Sequence, residues 1–377
     1  MRVEQQHWSS KGSWESSAQQ RCRDAQLVLA FGATSRIQDA CLWSELRAKW
    51  PCARIVACST AGEIAETTVR DDSVVATAIQ FERSRAMLAS VKLAEVQGSF
   101  DAGRALAEQL DPRGLRHVFV LSDGLAVNGS DLVLGLCMGL PSDVAVTGGL
   151  AGDGSRFERT LVGLDEAPNG ARVVALGLYG KNLHVGFGSL GGWDPFGPER
   201  VVTRARGAVL YELDGQPALE LYKRYLGDHA AQLPASGLLF PLTVRQGDAP
   251  PVVRTILSVD EREQSVTFAG EIREGAHGRL MRANFDRLVG GATGAARTCD
   301  GALRGKGADV AFLISCVGRK LVLQQRVEEE VEAVREVLGA RPVLTGFYSY
   351  GEISPFTPSA RCELHNQTMT ITTLLEE

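Results

Sequence analysis

Two ten-residue stretches, VACSTAGEIA at 56–65 and TGFYSYGEIS at 345–354, carry the same Gly-Glu-Ile ending about 290 residues apart. Self-similarity of this kind marks a repeated structural unit, and the flanking sequence repeats as well. Before the first copy come the apolar run LVLAFGATS and an amphipathic stretch through Leu42, Leu46 and Trp50; SVVATAIQF follows it. Before the second come VAFLISCVGR and a helical face of Val327, Val331, Val334 and Leu338; TMTITTLL follows it. The periodicities spell strand, loop, helix, strand, glycine loop, strand in both places. A weaker third copy lies between them: HVFVLSDG, LVLGLCMGL, VAVTGGLAGDG and RVVALGLYG, with Gly152-Asp153 where the others have Gly62-Glu63 and Gly351-Glu352.

A strand, a crossover helix and a second strand make a right-handed parallel pair. The loops GATS, SDGLAVNGS and SCVGR then fall at the carboxyl ends of strands, where open α/β sheets bind ligands and helix amides favour anions. A glycine followed by an acid predicts a turn with positive φ and a carboxylate fixed beside it. The alternative is that Glu63 and Glu352 cap a turn or pair with backbone amides.

The expected architecture is α/β, with two domains built from repeated strand-helix-strand units in mixed sheets. With 377 residues, 44% of them hydrophobic, the chain has material for two or three domains. LHVGFGS, RVVTRA and AVLYELDG read as antiparallel strands, and the helical PALELYKRYL closes a first domain over 26–226. The boundary falls at 227–234. A second domain over 235–377 begins with PVVRTILSV, SVTFAGEI and a helix through Leu280, Phe285 and Leu288. Residues 1–25, polar and rich in Ser and Gln, read as a disordered tail without a secretion signal.

A net charge of −5 without a long basic run argues against nucleic-acid or membrane-surface binding. No segment reaches the roughly 18 apolar residues of a membrane helix, so a cytoplasmic location is expected. Eight cysteines with no C-x-x-C spacing spell neither a zinc cage nor a disulfide framework, and most read as reduced core residues. A Cys-dependent enzyme assembled from Cys58 or Cys316 with His365 is an alternative, although G-x-S-x-G, Walker and H-E-x-x-H signatures are absent.

The strings CSTAGEI, VTGGLAGDG, GSLGGWDPFGP and GFYSYGEISP, the last followed by CELHNQTMTIT, resemble in order the bacterial FIST proteins, from about residue 26 onward. The resemblance implies an N-terminal FIST domain followed by a FIST C-terminal domain. It implies a sensory ligand-binding module of signal transduction rather than an enzyme, with small molecules such as amino acids as ligands. With GSLGGWDPFGP and no attached kinase or cyclase, the chain looks most like the haem-binding nitric-oxide sensors that regulate a partner histidine kinase.

Non-covalent haem b needs an axial donor in an apolar pocket. His7 falls in the expected tail, His277 in an exposed turn, His117 at the wrong end of its strand and His229 after a helix end. His365 is therefore the first candidate for the iron and His184, leading into Gly191-Gly192-Trp193, the second. The expected ligand pocket is an interdomain cleft lined by Gly62, Glu63, Gly192, Trp193, Tyr350, Gly351, Glu352 and Asn366. A sensor of amino acids or another metabolite without haem is the alternative. Self-association into a homo-oligomer is also compatible with repeated sheets.

Overall fold

The computed structural model describes residues 1–8, 13–16, 22–357 and 360–377. The apolar runs LVLAFG, LRHVFVLS and VAFLISC are central strands of three six-stranded sheets, buried on both faces almost throughout. Continuous apolar character is what such a position demands, since neither face meets water.

Each central strand has the same neighbours. Leu27–Gly32 pairs in parallel with Arg54–Ser59 and antiparallel with Val74–Gln80. Leu115–Ser122 pairs likewise with Ala145–Leu150 and Arg172–Tyr179. Val310–Cys316 does so with Val343–Ser349 and Met369–Glu376. The crossover helices are Ala40–Lys49, Gly129–Gly139 and Val327–Leu338. Asp39 and Asn128 cap the first two by accepting from backbone amides of the first turn. The three mixed α/β units expected from the repeats are thus present.

The units are not separate. The hairpin Glu63–Ala65 and Thr68–Arg70 leaves the first unit and adds to Val343–Ser349 in the third. The hairpin Gly351–Pro355 and Cys362–His365 leaves the third and adds to Ala145–Leu150 in the second. Val162–Leu164, downstream of Gly152-Asp153, adds to Arg54–Ser59 in the first. Every exchange covers the free edge of a parallel pair, which would otherwise expose unpaired N–H and C=O groups.

A core shared by the three sheets fills the space between them. Phe31 lies 4.9 Å from Phe347, and Phe119 lies 5.1 Å from Phe312, ring centre to ring centre. Two buried threonine pairs join sheets at matching positions, Thr77 to Thr345 at 2.8 Å and Thr372 to Thr147 at 2.7 Å. Residues 194–282 supply a fourth, nine-stranded sheet, on which the helix Ala218–Leu226 buries Leu219, Leu221, Tyr222 and Leu226.

Two expectations change. Residues 1–25 are not a disordered tail throughout: Arg2–Trp8 pairs with Val74–Gln80, and Trp14–Ser16 pairs with Arg2–Trp8. The polar composition misleads because the buried polar groups have specific partners. The Glu4 carboxylate accepts from Cys22 N at 2.6 Å, and Gln5 Nε2 donates to Leu344 O at 2.8 Å. The rest of that expected tail, 9–12 and 17–21, lies outside the described residues. Leu280 sits on the strand His277–Arg282, and the helix Phe285–Ala302 starts later because Asn284 caps it. Within the expected two-domain α/β architecture, three of the four sheets take strands from both sides of 227–234, so the two domains share sheets.

Because Phe347 packs between two sheets, Phe347→Ala should lower stability by about 3–5 kcal/mol. Urea unfolding followed by far-UV circular dichroism and by tryptophan fluorescence checks it: the two signals should shift together, and a surface-sized effect would contradict the shared core.

Candidate functional site

The repeated acids are structural ties. Glu63 Oε1 accepts from Thr60 Oγ1 at 2.5 Å, and its Oε2 accepts from Ser73 Oγ at 2.6 Å and Ser73 N at 3.3 Å. Glu352 repeats the pattern, with Ser349 Oγ at 2.6 Å, Thr368 Oγ1 at 3.0 Å and Thr368 N at 3.2 Å. Each carboxylate thereby ties the start of an exchanged hairpin to the last strand of its own unit. Asp153 accepts from Phe157 N, Glu158 N and Arg159 N at 2.8, 3.0 and 2.9 Å. Tyr350 donates to Asp153 from the third unit and stacks on Phe157 at 4.3 Å.

The glycines before these acids differ from the expectation. Gly62 has φ +137°. Gly351 and Gly152 do not share that conformation; they are glycine for space. A Cβ on Gly351 would come within 2.9 Å of Leu364, and one on Gly152 within 2.9 Å of Ala61 N. The left-handed residue common to the first and third units comes later, at Asp72 with φ +52° and Gln367 with φ +64°, just before Ser73 and Thr368.

Around Gln367 the polar accounting does not close. Its carbonyl accepts from Trp193 Nε1 at 2.9 Å. Its side-chain Nε2 and Oε1, fully buried over Gly318, have no partner among the described residues. Asn366 Oδ1 and Thr255 Oγ1 are likewise buried and unpartnered. Arg254 is buried and forms no ion pair among the described residues; it donates to Leu364 O, two residues before Asn366, at 3.0 Å and to Glu271 O at 3.3 Å. Burial, opposed by the charges of Glu363 and Glu271 and aided by Arg273, pulls its guanidinium down to about 10. Arg254 and Thr255 come from the nine-stranded sheet, Asn366 and Gln367 from the third unit. The seam between them therefore holds a cation and three groups with spare hydrogen-bonding capacity.

Gly192 and Trp193 reach this seam as packed structure. Gly192 has φ +90°, and a Cβ there would lie 1.9 Å from Arg287 O. Trp193 is buried with Met281, Leu288, Val322 and Leu323. A neighbouring cluster is fully satisfied: Arg319 donates to Glu330 at 2.7 and 3.0 Å, and Ser315 and Tyr348 donate to the same carboxylate at 2.9 and 2.7 Å. Sequence reading missed Arg254, Thr255, Arg319, Glu330 and Gln367. The only signal for Gln367 was its place inside H-N-Q-T, aligned with Asp72 in the first unit.

The two candidate haem histidines do not converge. His184 is half exposed, 3.2 Å from Glu377, on a strand of the third sheet. His365 pairs across from Glu352 in the second sheet, fully buried. Its Nε2 bonds Ser354 O at 2.9 Å, its ring meets Phe356 at 5.9 Å, and burial brings it down to about 4. With His184 at the surface against Glu377 and His365 buried with its Nε2 committed to Ser354 O, neither is arranged as an axial haem donor, and these residues do not fit haem. His117 is buried against Thr147 Oγ1 at 2.7 Å, and His277 pairs with Glu199 at 3.0 Å. Cys58 and Cys316 are buried, and that burial pushes both thiols up, away from the thiolate a nucleophile needs. Among the described residues no cluster of His, Cys, Asp and Glu could hold a metal ion, and no helix is long and apolar enough to cross a membrane.

Burial raises Glu63 to about 7 and Glu352 to about 8, from 4.5, against their hydrogen bonds. The folded chain therefore keeps protons that the unfolded chain has lost between those values, and this contribution to stability falls as pH rises through that window. Glu352→Gln should leave stability nearly unchanged at pH 5 and raise it relative to the parent at pH 8. Urea midpoints across that range check it; a constant difference would mean that Glu352 is ionised throughout.

Two family profiles match the chain: the FIST N domain over residues 26–216 and the FIST C domain over residues 218–355. An uncharacterized protein of Mycobacterium bovis and another of Mycobacterium tuberculosis are each 27% identical to it over 245 residues. Those matches cover 62% of this chain and 61% of each relative, so they span less than two thirds of the relatives' length. The chain belongs to the FIST family of sensory proteins, with a FIST N domain followed by a FIST C domain.

Proposed function

We propose that this chain is a cytoplasmic, non-catalytic sensor that binds a small polar ligand at the seam of Arg254, Thr255, Asn366 and Gln367. The observation that carries the reading is buried Arg254, without an ion pair among the described residues and bonded to Leu364 O, two residues before Asn366 and Gln367, whose buried side chains keep unpartnered polar atoms. Such groups cost free energy unless something satisfies them, and a bound ligand is one way to recover that cost. Arg254 suits a carboxylate, while the two amides offer donors and acceptors for the remainder of the molecule. A free amino acid or a small carboxylate metabolite has this chemistry.

Binding would draw the nine-stranded sheet against the third unit, and a signalling partner such as a histidine kinase would read the altered surface. A ligand shifts that equilibrium only as far as it binds the two arrangements differently, and about 1–3 kcal/mol gives a useful signal. Haem b with nitric oxide, the finer reading implied by the family resemblance, requires His365 to give up Ser354 O and its ring to be uncovered.

Thermal-shift measurements with a panel of amino acids and small carboxylates, alongside a haemin titration read by absorption, test both. The expected result is a stabilising carboxylate whose effect is lost in Arg254→Met and in Asn366→Ala/Gln367→Ala. A Soret band at one haem per chain, shifted by nitric oxide and abolished by His365→Ala, would replace the seam reading with the gas sensor.

A further inference from the structure

The exchanged strand Cys362–His365 lies against the helix Gly129–Gly139 of the second unit, which brings together Cys137 and Cys362, 225 positions apart (362 − 137) in the chain. The side chains of Cys137 and Cys362 are neighbours, packed against the same apolar cluster between this helix and its sheet. Cys362 Sγ in turn donates to Val146 O at 3.0 Å, which holds it at the end of its strand. Both residues are half-buried, unlike the fully buried Cys22, Cys58, Cys299 and Cys316. Both are free thiols.

We propose that Cys137 and Cys362 form a redox site in which a hydroperoxide converts the pair to a disulfide that staples the third unit's hairpin to the second unit's helix. Three features set the roles. Cys137 is the residue lowered from the ordinary thiol value, by hydrogen bonding from Cys362 against the effect of burial, with Arg361 adding positive charge. Cys362 has its thiol proton committed to Val146 O and is raised by burial, which suits it to the resolving role. The helix and strand carrying them are packed together, so two thiols already in contact need no domain movement to meet.

The chemistry balances without a further reactant. The Cys137 thiolate attacks one peroxide oxygen, the O–O bond breaks, and the departing hydroxide takes the thiol's proton to leave as water, giving a sulfenic acid. The Cys362 sulfur then attacks the Cys137 sulfur, the S–O bond breaks, and the hydroxide leaves as water with the Cys362 proton. Two thiols and one hydroperoxide group thus become one disulfide, with two electrons passed to the peroxide. Where intracellular disulfides occur, transient redox-sensing pairs are a common use. His365 ends the stapled strand and Asn366 and Gln367 follow it directly, but the cross-link does not depend on any ligand at the seam.

The test is non-reducing peptide mapping by mass spectrometry of the full chain, in a Cys41→Ser/Cys52→Ser background that removes the exposed thiols, after treatment with hydrogen peroxide. The expected result is a peptide pair joined through Cys137 and Cys362, two hydrogens lighter than the reduced pair and reversed by dithiothreitol. In Cys362→Ser, dimedone should label Cys137 at least about tenfold more than the buried Cys299. Amide exchange of the strand Cys362–His365 should slow in the oxidised chain. Absence of the 137–362 pair while Cys137 takes no dimedone, or a cross-link through another pair, overturns the proposal. Ligand binding at the seam, measured separately, would be untouched by that failure.

Discussion

Backbone pairing at three sheet edges is the constraint on which the rest of the molecule depends. Each unit's parallel pair has one open edge, and in each case it is filled by a segment that has just left another unit. The direction is cyclic: first to third, third to second, second to first. Closing the cycle removes free edges that would template aggregation, and it makes each unit incomplete without the others. The FIST N and FIST C regions therefore fold as one interlocked body, although a sequence profile divides them. The acid in each loop follows from the same constraint. A chain that must quit its own sheet at a defined residue needs an anchor there, and Glu63 and Glu352 supply it through the same two hydroxyl positions.

What was legible in the sequence was what depends on neighbours close along the chain. Apolar runs gave the central strands, helical periodicity gave the crossover helices, and the repeated Gly-Glu-Ile located the points of exchange. The exchange itself was hidden, because the partner of Glu63–Ala65 is written about 280 residues later. The same holds for Arg2–Trp8, whose polar RVEQQHW looks solvated until Gln5 meets Leu344 and Glu4 meets Cys22. The roles of the glycines were half legible. Positive φ at Gly62 followed from the turn, whereas Gly351 and Gly152 answer to side chains and backbone that arrive from other units. The seam was least legible, since Arg254 and Gln367 gain meaning only from each other's surroundings.

Two polar clusters lie within the third unit and its seam, and their contrast separates structure from function. Arg319 and Glu330 are both fully buried, but each has its charge opposed and its hydrogen bonds made by Ser315, Tyr348, Leu288 and the guanidinium itself. A closed network of that kind fixes register, and leaving one partner alone would be costly. Arg254 has carbonyl acceptors but no ion pair among the described residues, and Asn366 and Gln367 have unfilled positions. Burial without satisfaction persists in a folded chain where something else pays for it, and the seam between two bodies of structure is where an incoming molecule can do so.

The strand Cys362–His365 gives that seam a mechanical connection. One face of its hydrogen bonding is committed to Gly351–Pro355, Leu364 O accepts from Arg254, and its first residue touches the second unit's helix. The strand belongs by sequence to the third unit, by pairing to the second sheet and by contact to the nine-stranded sheet. An element held by three bodies cannot move with all of them at once. Any event that strengthens one attachment shifts the balance among the others, as two-state coupling requires, and the exchange that completes the fold supplies that element.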